Sequence, residues 1–167
     1  METAEIAVKA SQTGHLVLST LHTNDAPSSL TRLINMGVEP FNIASSVSLV
    51  IAQRLVRRLC DSCREKVTYP AEALLRAGFD KAELSTLEIY AAGGCTGCSG
   101  GYRGRTGIFE VMPMTSEIGT IVMSGGSTAD IEQQARSAGV KSMRASGLDK
   151  VRRGITSLEE VERVTTG

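Results

Sequence analysis

The spacing of apolar residues along the chain predicts mainly helices. Apolar side chains that recur every three or four residues are typical of helices with one buried face. Glycines and prolines separate these segments, and residues suited to capping precede several of them. Helices are predicted over residues 2–10, 25–36, 41–50, 71–77, 80–87, 116–123, 128–138, 141–153 and 157–164.

Individual residues mark the expected starts of these helices. Asp25 or Ser28 is expected to cap the second helix, and Thr128 is expected to cap the helix that begins there. Ser157 and Glu160 have the spacing of a capping box, in which side chain and backbone bond to each other reciprocally. The helices after residue 114 are expected to form a small bundle.

Three segments have strand patterns. The continuous apolar run Leu16–Leu18 is typical of a strand that is buried on both faces of a parallel sheet. Residues 53–59 and 104–111 mix apolar and basic positions, which predicts two short antiparallel strands. The segment between these two strands is then expected to be an insertion at their tip.

Small polar residues follow the Leu16–Leu18 run, at the end of a predicted strand where open α/β sheets bind ligands. Thr20, His22, Thr23 and Asn24 are therefore candidates for a binding site. A histidine in this position can donate to a phosphate oxygen or respond to the loss of the phosphate. The alternative is that His22 caps a loop or satisfies the following helix. His15 precedes the strand and is expected at the opposite edge.

The four cysteines fall into two pairs with the same spacing, Cys60 with Cys63 and Cys95 with Cys98. Two such turns can present four thiolates as a tetrahedron, which suits zinc. Four thiolates close the coordination sphere, so the zinc is expected to be structural and not catalytic. Disulfides would need an oxidising compartment, and a thioredoxin-type motif would need one pair after a strand, so both alternatives fit less well.

Composition limits the function classes. The 167 residues are 41% hydrophobic and 22% charged, as in an ordinary globular chain. The net charge is zero and aromatic residues make up 4%, which argues against nucleic acid or an anionic membrane as the main partner. No apolar run is long enough to span a membrane, and no basic signal-peptide region follows Met1. These features favour a reduced cytosol.

Several motifs resemble one family. Residues 11–24 resemble the His box of the secretion ATPase superfamily, and residues 2–4 resemble the end of its Walker B region. The cysteine pairs and residues 101–110 resemble the zinc-bearing branch that extends fibres, not the retraction ATPases, which lack the cysteines. Within that branch, the type IV pilus assembly ATPases are most similar and the type II secretion ATPases are near neighbours, on the evidence of residues 24–27, 42–47 and 154–161.

The resemblance implies an α/β fold, the C-terminal portion of a RecA-like P-loop ATPase core with an inserted tetracysteine zinc subdomain and a C-terminal helical bundle. Residues 1–59 would carry the core portion with the His box. Residues 60–98 would form the zinc-binding insertion, residues 99–113 the return strand of the core, and residues 114–167 the helical subdomain.

The resemblance also implies roles for single residues. His22 matches the histidine that the family places near the γ-phosphate of ATP and is the expected catalytic residue. His15, Thr20 and Asn24 match neighbouring positions and are expected to bind the nucleotide, ATP with Mg²⁺. The four cysteines match the ligands of a structural Zn²⁺.

By the same resemblance, the complete protein is a cytoplasmic homo-hexamer that hydrolyses ATP to power type IV pilus assembly. It would be peripheral to the inner membrane, where it docks on the platform protein of the pilus machine. The expected partners of this chain are the N-terminal half of the same ATPase, the other subunits and that platform protein. Neither nucleic acid nor a transmembrane segment is expected.

The sequence departs from the family in one respect, because it contains no Gly-x-x-x-x-Gly-Lys-[Ser/Thr] phosphate-binding loop. The acidic Walker B residues and the arginine fingers are expected upstream of Met1. The chain is therefore expected to be the C-terminal part of the motor domain, without ATPase activity of its own. Three alternatives stay open: a type II secretion ATPase fragment, a stand-alone zinc-stabilised interaction module without ATPase activity, and a zinc-ribbon nucleic-acid binder, which the zero net charge disfavours.

Overall fold

A computed structural model describes residues 2–165, which form a mixed α/β protein. The chain divides into two compact units, each built from two separate segments. The first unit comprises Met1–Ala52 and Glu110–Lys141, and the second comprises Gln53–Phe109 and Ser142–Gly167. The four-part organisation expected from the sequence stays a prediction.

The described residues form both helices and strands. The helices of the described residues are α1 (Glu2–Gln12), α2 (Ala26–Asn35), α3 (Pro40–Ser46), α4 (Ala71–Ala77), α5 (Ser116–Met123), α6 (Thr128–Ser137), α7 (Met143–Arg152) and α8 (Leu158–Thr165). The strands are β1 (Leu49–Leu59), β2 (Arg64–Val67), β3 (Ile89–Ala92) and β4 (Tyr102–Pro113). Two sheets of two strands each pair β1 with β4 and β2 with β3.

The first unit is built mainly from α1, α2, α3, α5 and α6. Helix α2 packs on α3 and α6, and α3 packs on α1 and α5. Asp25 caps α2, because its carboxylate accepts the N–H of Ser28 at 2.8 Å, which confirms one of the two predicted caps. The core of the unit contains Leu30, Ile43 and Ile118, which are fully buried.

The second unit packs α4, α7 and α8 with the antiparallel pair β2 and β3, in which Arg64 lies opposite Ala92. Gly78 ends α4 in the left-handed conformation, with φ +108°, as the sequence predicts. The core is one buried cluster of Leu74, Ala77, Phe79, Ile89, Leu148, Val151, Leu158 and Val161. Helices α5 and α6 belong to the first unit and α7 and α8 to the second, although residues 114–167 were expected to form one bundle.

Strands β1 and β4 flank the cysteine-bearing segment, and the predicted pairing of these two strands is confirmed. Next to the pair, the N–H of Cys60 donates to the carbonyl of Gly101 at 2.9 Å. Strand β1 is also bonded to the residues before α8, because the N–H of Leu59 donates to the carbonyl of Ile155 at 2.9 Å. The base of the cysteine segment is therefore fixed by backbone hydrogen bonds.

The prediction of a buried strand at Leu16–Leu18 is wrong for the described residues. Residues 15–23 form neither helix nor strand, and Leu16 and Leu18 are each 87% exposed. A strand needs a neighbour that takes up its backbone N–H and C=O groups. The two sheets of residues 2–165 leave no strand beside this run.

The helix predicted over residues 41–50 ends early. Helix α3 stops at Ser46, and β1 begins at Leu49. Val50 and Ile51 are β-branched and favour a strand, which outweighs their helix-like spacing from the preceding apolar residues.

The helix predicted over residues 80–87 is replaced by successive turns. The N–H of Glu83 donates to the carbonyl of Asp80 at 3.1 Å, and the Glu83 carboxylate accepts the N–H of Asp80 at 2.7 Å. These local bonds satisfy the backbone in another way and compete with a helix.

Two predicted caps need revision. Helix α6 is capped one residue earlier than predicted, by Ser127, which forms a full capping box with Asp130. At α8 only half of the predicted box forms. In this half, the N–H of Glu160 donates to Ser157 Oγ at 3.3 Å. The Glu160 carboxylate bonds to Arg57 instead of completing the box.

Candidate functional site

The four cysteines come together in the second unit, and their Sγ atoms all lie within 4.8 Å of one another. The Sγ–Sγ distances are 4.0 Å for Cys60 and Cys95, 3.7 Å for Cys63 and Cys98, and 3.6 Å for Cys95 and Cys98. A tetrahedron of thiolates at about 2.3 Å from zinc separates the sulfurs by about 3.8 Å, whereas disulfide sulfurs are about 2.0 Å apart. The cluster therefore fits a metal ion.

Backbone turns place the sulfur atoms. The N–H of Gly94 donates to Sγ of Cys63, and the N–H of Cys95 donates to Sγ of Cys98, each at 3.3 Å. Gly101 has φ +82°, and a Cβ at this position would lie 2.5 Å from a side chain of β3. The second cysteine turn therefore requires glycine at this position.

The thiols of the cluster differ in acidity. Burial raises the pKa of Cys63 to about 12, whereas the hydrogen bond from the Cys95 backbone N–H lowers the pKa of Cys98 to about 7. Because the thiolate is the metal ligand, binding near neutral pH displaces a proton from Cys63. Four protein ligands leave no position for water, which makes a metal held here structural.

A polar cleft in the first unit contains three of the predicted site residues, His22, Thr23 and Asn24. Its volume is about 310 Å³, and it is lined by His22, Thr23, Asn24, Ser28, Thr31, Arg32, Asn35 and Thr128. Thr20 and His15 are exposed and are not among the lining residues. Nδ1 of His15 lies 3.0 Å from Oγ1 of Thr13, just after α1.

The segment before α2 is held by hydrogen bonds between side chains and backbone. Oγ1 of Thr23 and Oγ of Ser29 share a hydrogen bond at 2.7 Å, and Ser29 Oγ also donates to the carbonyl of Asp25 at 3.1 Å. These bonds fold the residues around His22 back onto the first turns of α2.

A buried carboxylate fixes the first turn of α2. Glu110, in β4, is 1% exposed and accepts the backbone N–H of Ala26 at 2.9 Å. Nη2 of Arg136, in α6, donates to the same carboxylate at 2.5 Å, and its Nη1 donates to the carbonyl of Val140 at 3.0 Å. Charge-assisted hydrogen bonds of this kind are the stronger ones, so they tie α2 firmly to β4 and α6.

Comparisons with known proteins show the family of this chain. The family model described as type II/IV secretion system protein matches residues 1–163. The chain belongs to the type II/IV secretion system protein family. Its two sites, the cysteine cluster and the polar cleft, both lie within the matched part.

Relatives in this family resemble the chain along nearly its whole length, which confirms the resemblance to the type IV pilus assembly ATPases. The type IV pilus assembly ATPase PilB of Pseudomonas aeruginosa is 53% identical over 165 residues, and that of Acinetobacter baylyi is 54% identical over 168 residues. Each comparison covers 99% of this chain and 29% of the relative. The type II secretion system ATPase E of Vibrio cholerae is 51% identical over 166 residues, which cover 99% of this chain and 32% of that protein. The chain thus spans less than a third of the length of these relatives.

None of the helices formed by residues 2–165 of this family member combines the length and the apolar character that crossing a bilayer demands.

The sequence predicts only part of the cleft of this family member. Ser28, Thr31, Arg32 and Asn35 stand at i, i+3, i+4 and i+7, so their shared face on α2 could be found from spacing alone. Thr128 comes from a segment almost a hundred positions further along the chain. Nothing in the local sequence pattern indicates that it joins this cleft.

Proposed function

We propose that this chain is the C-terminal part of the motor domain of a type IV pilus assembly ATPase. The observation that carries the proposal is the 53% identity to Pseudomonas aeruginosa PilB across 99% of the chain. In this role the complete protein hydrolyses ATP and uses the energy to add pilin subunits to the fibre. Because the chain spans 29% of that relative, the phosphate-binding loop is supplied by the rest of the protein.

In this proposal, residues 1–59 and 99–113 belong to a RecA-like ATPase core, residues 60–98 to a zinc subdomain, and residues 114–167 to a helical subdomain. The exposure of Leu16 and Leu18, 87% each, supports the first assignment. Large apolar side chains that are exposed close together in the sequence are suited to burial under another part of a longer protein.

His22 is the proposed catalytic-cycle residue, acting at the γ-phosphate of ATP. Asn24 lines the same cleft and would bind the nucleotide with His15 and Thr20. An imidazole suits this role because it can donate a hydrogen bond to a phosphate oxygen and can gain or lose a proton near neutral pH.

Zinc is the proposed metal of the four-cysteine cluster, because all four ligands are thiolates and the sulfur spacing suits a tetrahedron. Cys60, Cys63, Cys95 and Cys98 would hold it. When bound, the ion supplies a structural cross-link between two turns and no catalytic chemistry.

The complete protein is proposed to act as a cytoplasmic homo-hexamer, peripheral to the inner membrane. Its partners would be the N-terminal half of each subunit, the neighbouring subunits and the platform protein of the pilus machine. ATP with Mg²⁺ would bind where the two halves of the motor meet.

A type II secretion ATPase is the second candidate, because the Vibrio cholerae type II secretion system ATPase E is 51% identical over the same extent. The two candidates share the chemistry and differ in the machine that the ATPase drives.

Two chimaeras separate these candidates. In one, this chain replaces the matching region of Acinetobacter baylyi PilB, and in the other it replaces the matching region of the Vibrio cholerae ATPase, each in a strain without its own enzyme. Surface pili are expected to return in the first strain, whereas secretion is not expected to return in the second. Restored secretion without pili would reject the pilus assignment.

A matched pair of variants in the pilus chimaera tests the His box. His22→Ala is expected to abolish pili while the protein still accumulates to the same level. Glu132→Gln, which changes an exposed carboxylate on α6, is expected to leave pili unchanged.

A further inference from the structure

One face of α2 is entirely polar. Ser28, Thr31, Arg32 and Asn35 occupy successive turns on this face, while Ala26 and Leu30 are fully buried. A polar stripe on a helix is usually only a solvated surface. Here the stripe forms one wall of a cleft of about 310 Å³, which residues 22–24 and Thr128 complete.

The chemistry of the cleft is that of an anion site. Its lining consists of hydroxyl and amide side chains together with Arg32 and His22, and it contains neither a carboxylate nor an aliphatic side chain. A guanidinium, amides and hydroxyls offer many hydrogen-bond donors, and the planar guanidinium matches phosphate oxygens. A metal cation would find no carboxylate in this lining and would face the charge of Arg32.

Two carboxylates at the start of α2 already accept backbone N–H groups. The Asp25 carboxylate accepts the N–H of Ser28 at 2.8 Å, and the buried Glu110 carboxylate accepts the N–H of Ala26 at 2.9 Å. Both carboxylates therefore accept N–H groups at the N-terminus of α2. An anion in the cleft would contact the side of the helix and not its N-terminus. Among residues 2–165, Arg32 forms no ion pair that would neutralise it.

The walls of the cleft are joined. Oγ1 of Thr31 and Oγ1 of Thr128 share a hydrogen bond at 2.7 Å, which connects α2 to the first turn of α6. Glu110 of β4 bridges the same two helices at another point, because its carboxylate accepts the N–H of Ala26 in α2 and pairs with Arg136 in α6. The two helices that carry Arg32, Asn35 and Thr128 are thus held together before any ligand arrives, which lowers the entropy cost of binding.

We infer that this cleft binds a phosphate group through Arg32, Asn35, Thr128 and His22. The inference rests on the proposed function and extends it, because it adds Arg32, Asn35 and Thr128 to the His box as phosphate ligands. The phosphate group is either part of a nucleotide or the free inorganic phosphate that hydrolysis releases. In both cases the guanidinium supplies the permanent charge and the neutral donors fix the orientation.

Histidine NMR on the chain itself tests this inference, because His22 and His15 are its two histidines. Inorganic phosphate is titrated into the labelled chain at neutral pH and constant ionic strength, with chloride as the compensating anion. The ring signals of His22 are expected to shift and saturate. The ring signals of His15, which lies outside the cleft and is proposed to contact another part of the nucleotide, are expected to stay in place with inorganic phosphate.

Two substitutions assign the effect to the cleft. Arg32→Ala is expected to weaken phosphate binding by about tenfold or more, since one charge-assisted contact is lost. Asn35→Asp keeps the shape of the side chain but adds a negative charge, and is expected to abolish the shift. Arg76→Ala, which removes an exposed arginine of the second unit, is the matched control and should leave the titration unchanged.

Parallel titrations with ATP and with adenosine identify the source of the phosphate. Saturation by inorganic phosphate assigns the cleft to the free ion, and saturation by ATP alone assigns it to a phosphate of the nucleotide. Both results support the inference, provided that Asn35→Asp removes the response. The inference is overturned if neither inorganic phosphate nor ATP gives a saturable shift of the His22 signals. It is also overturned if the shift in Arg32→Ala and in Asn35→Asp is as large as in the parent chain. That failure would leave the chimaera result, and with it the proposed function, untouched.

Discussion

The carboxylate of Glu110 accepts the backbone N–H of Ala26 at 2.9 Å, although 84 positions of sequence separate the two residues. Glu110 is 1% exposed, and its second partner, Arg136, is 31% exposed. A buried carboxylate with a charged and a backbone donor is well satisfied, so removing it leaves two groups without a partner. The pair thus decides where α2 begins, directly after the segment that carries His22.

Replacing Glu110 should therefore cost stability. Glu110→Ala is expected to lower the free energy of unfolding by about 3 kcal/mol, because it leaves an unpaired N–H and a partly buried guanidinium. Urea denaturation measures the loss. Glu132 bonds to the same Arg136 at 3.3 Å but is 56% exposed, so Glu132→Gln should change stability by less than about 0.5 kcal/mol. Equal losses in the two variants would mean that Glu110 does not hold α2.

Local pattern predicts the parts of this fold that local bonds decide. The Asp25 cap, the glycine end of α4, the pairing of β1 with β4 and the clustering of the cysteines all follow from spacing and residue type. Each depends on residues close in sequence, on the repeated cysteine motif, or on the two strands that flank that motif. Such features are therefore readable before the structure is known.

The wrong predictions concern residues whose structure depends on contacts with other parts of the fold. Leu16 and Leu18 have the pattern of a buried strand, but the described residues provide no strand to pair with them. Glu160 has capping-box spacing, but Arg57 of β1 and Arg163 of α8 take up its carboxylate in place of the backbone N–H of Ser157. Neither the missing strand partner nor the approach of Arg57, 103 positions away, is visible in a single sequence window.

Metal analysis should find zinc bound to the purified chain at a single site. Its removal by a chelator is expected to expose four reactive thiols and to loosen the second unit, since four thiolates link residues 60–63 to residues 95–98. Cys98→Ser should lose the metal. Ser99→Ala, the neighbouring change, should retain it. A chain that binds no metal but keeps its thiols protected from reaction would contradict the assignment.

Glu160 should make the stability of the chain sensitive to acid. Its side chain is fully buried, and burial alone would raise its pKa, but hydrogen bonds from Arg163 and Arg57 outweigh burial and lower the pKa to about 2. The stabilisation is therefore complete above the pKa of an unfolded glutamate, about 4.3, and is lost as the pH falls toward the folded value.

Glu160→Gln is thus expected to be less stable than the parent chain at neutral pH. Its free energy of unfolding is expected to fall less than that of the parent chain on acidification. Unfolding in urea at a series of pH values measures both effects. The Arg152 hydrogen bond lowers the pKa of Glu83 to about 2 as well, so part of the acid sensitivity should persist in the variant. Arg58→Gln, a change of the exposed arginine next to Arg57, should keep the parent profile. An unchanged profile in Glu160→Gln would reject the role of this carboxylate.

The purified chain should not hydrolyse ATP, because its sequence contains no phosphate-binding loop to hold the β- and γ-phosphates. Phosphate release from ATP is measured at a concentration of the purified chain that far exceeds the concentration of any contaminating enzyme. Turnover that disappears in His22→Ala would refute this expectation. Turnover that is identical in His22→Ala would instead indicate a contaminant.

Alanine substitutions at two glycines within helices should change the free energy of unfolding in opposite directions. In α5, a Cβ on Gly119 would lie 3.6 Å from Cβ of Ala44, an ordinary contact. Gly119→Ala is therefore expected to raise the free energy of unfolding by about 0.5–1 kcal/mol, through the lower backbone entropy of the unfolded chain. In α7, a Cβ on Gly147 would lie 2.6 Å from Cγ1 of Val161 in α8. Gly147→Ala is expected to cost about 1–3 kcal/mol through overpacking, and thermal unfolding of both variants should show opposite shifts.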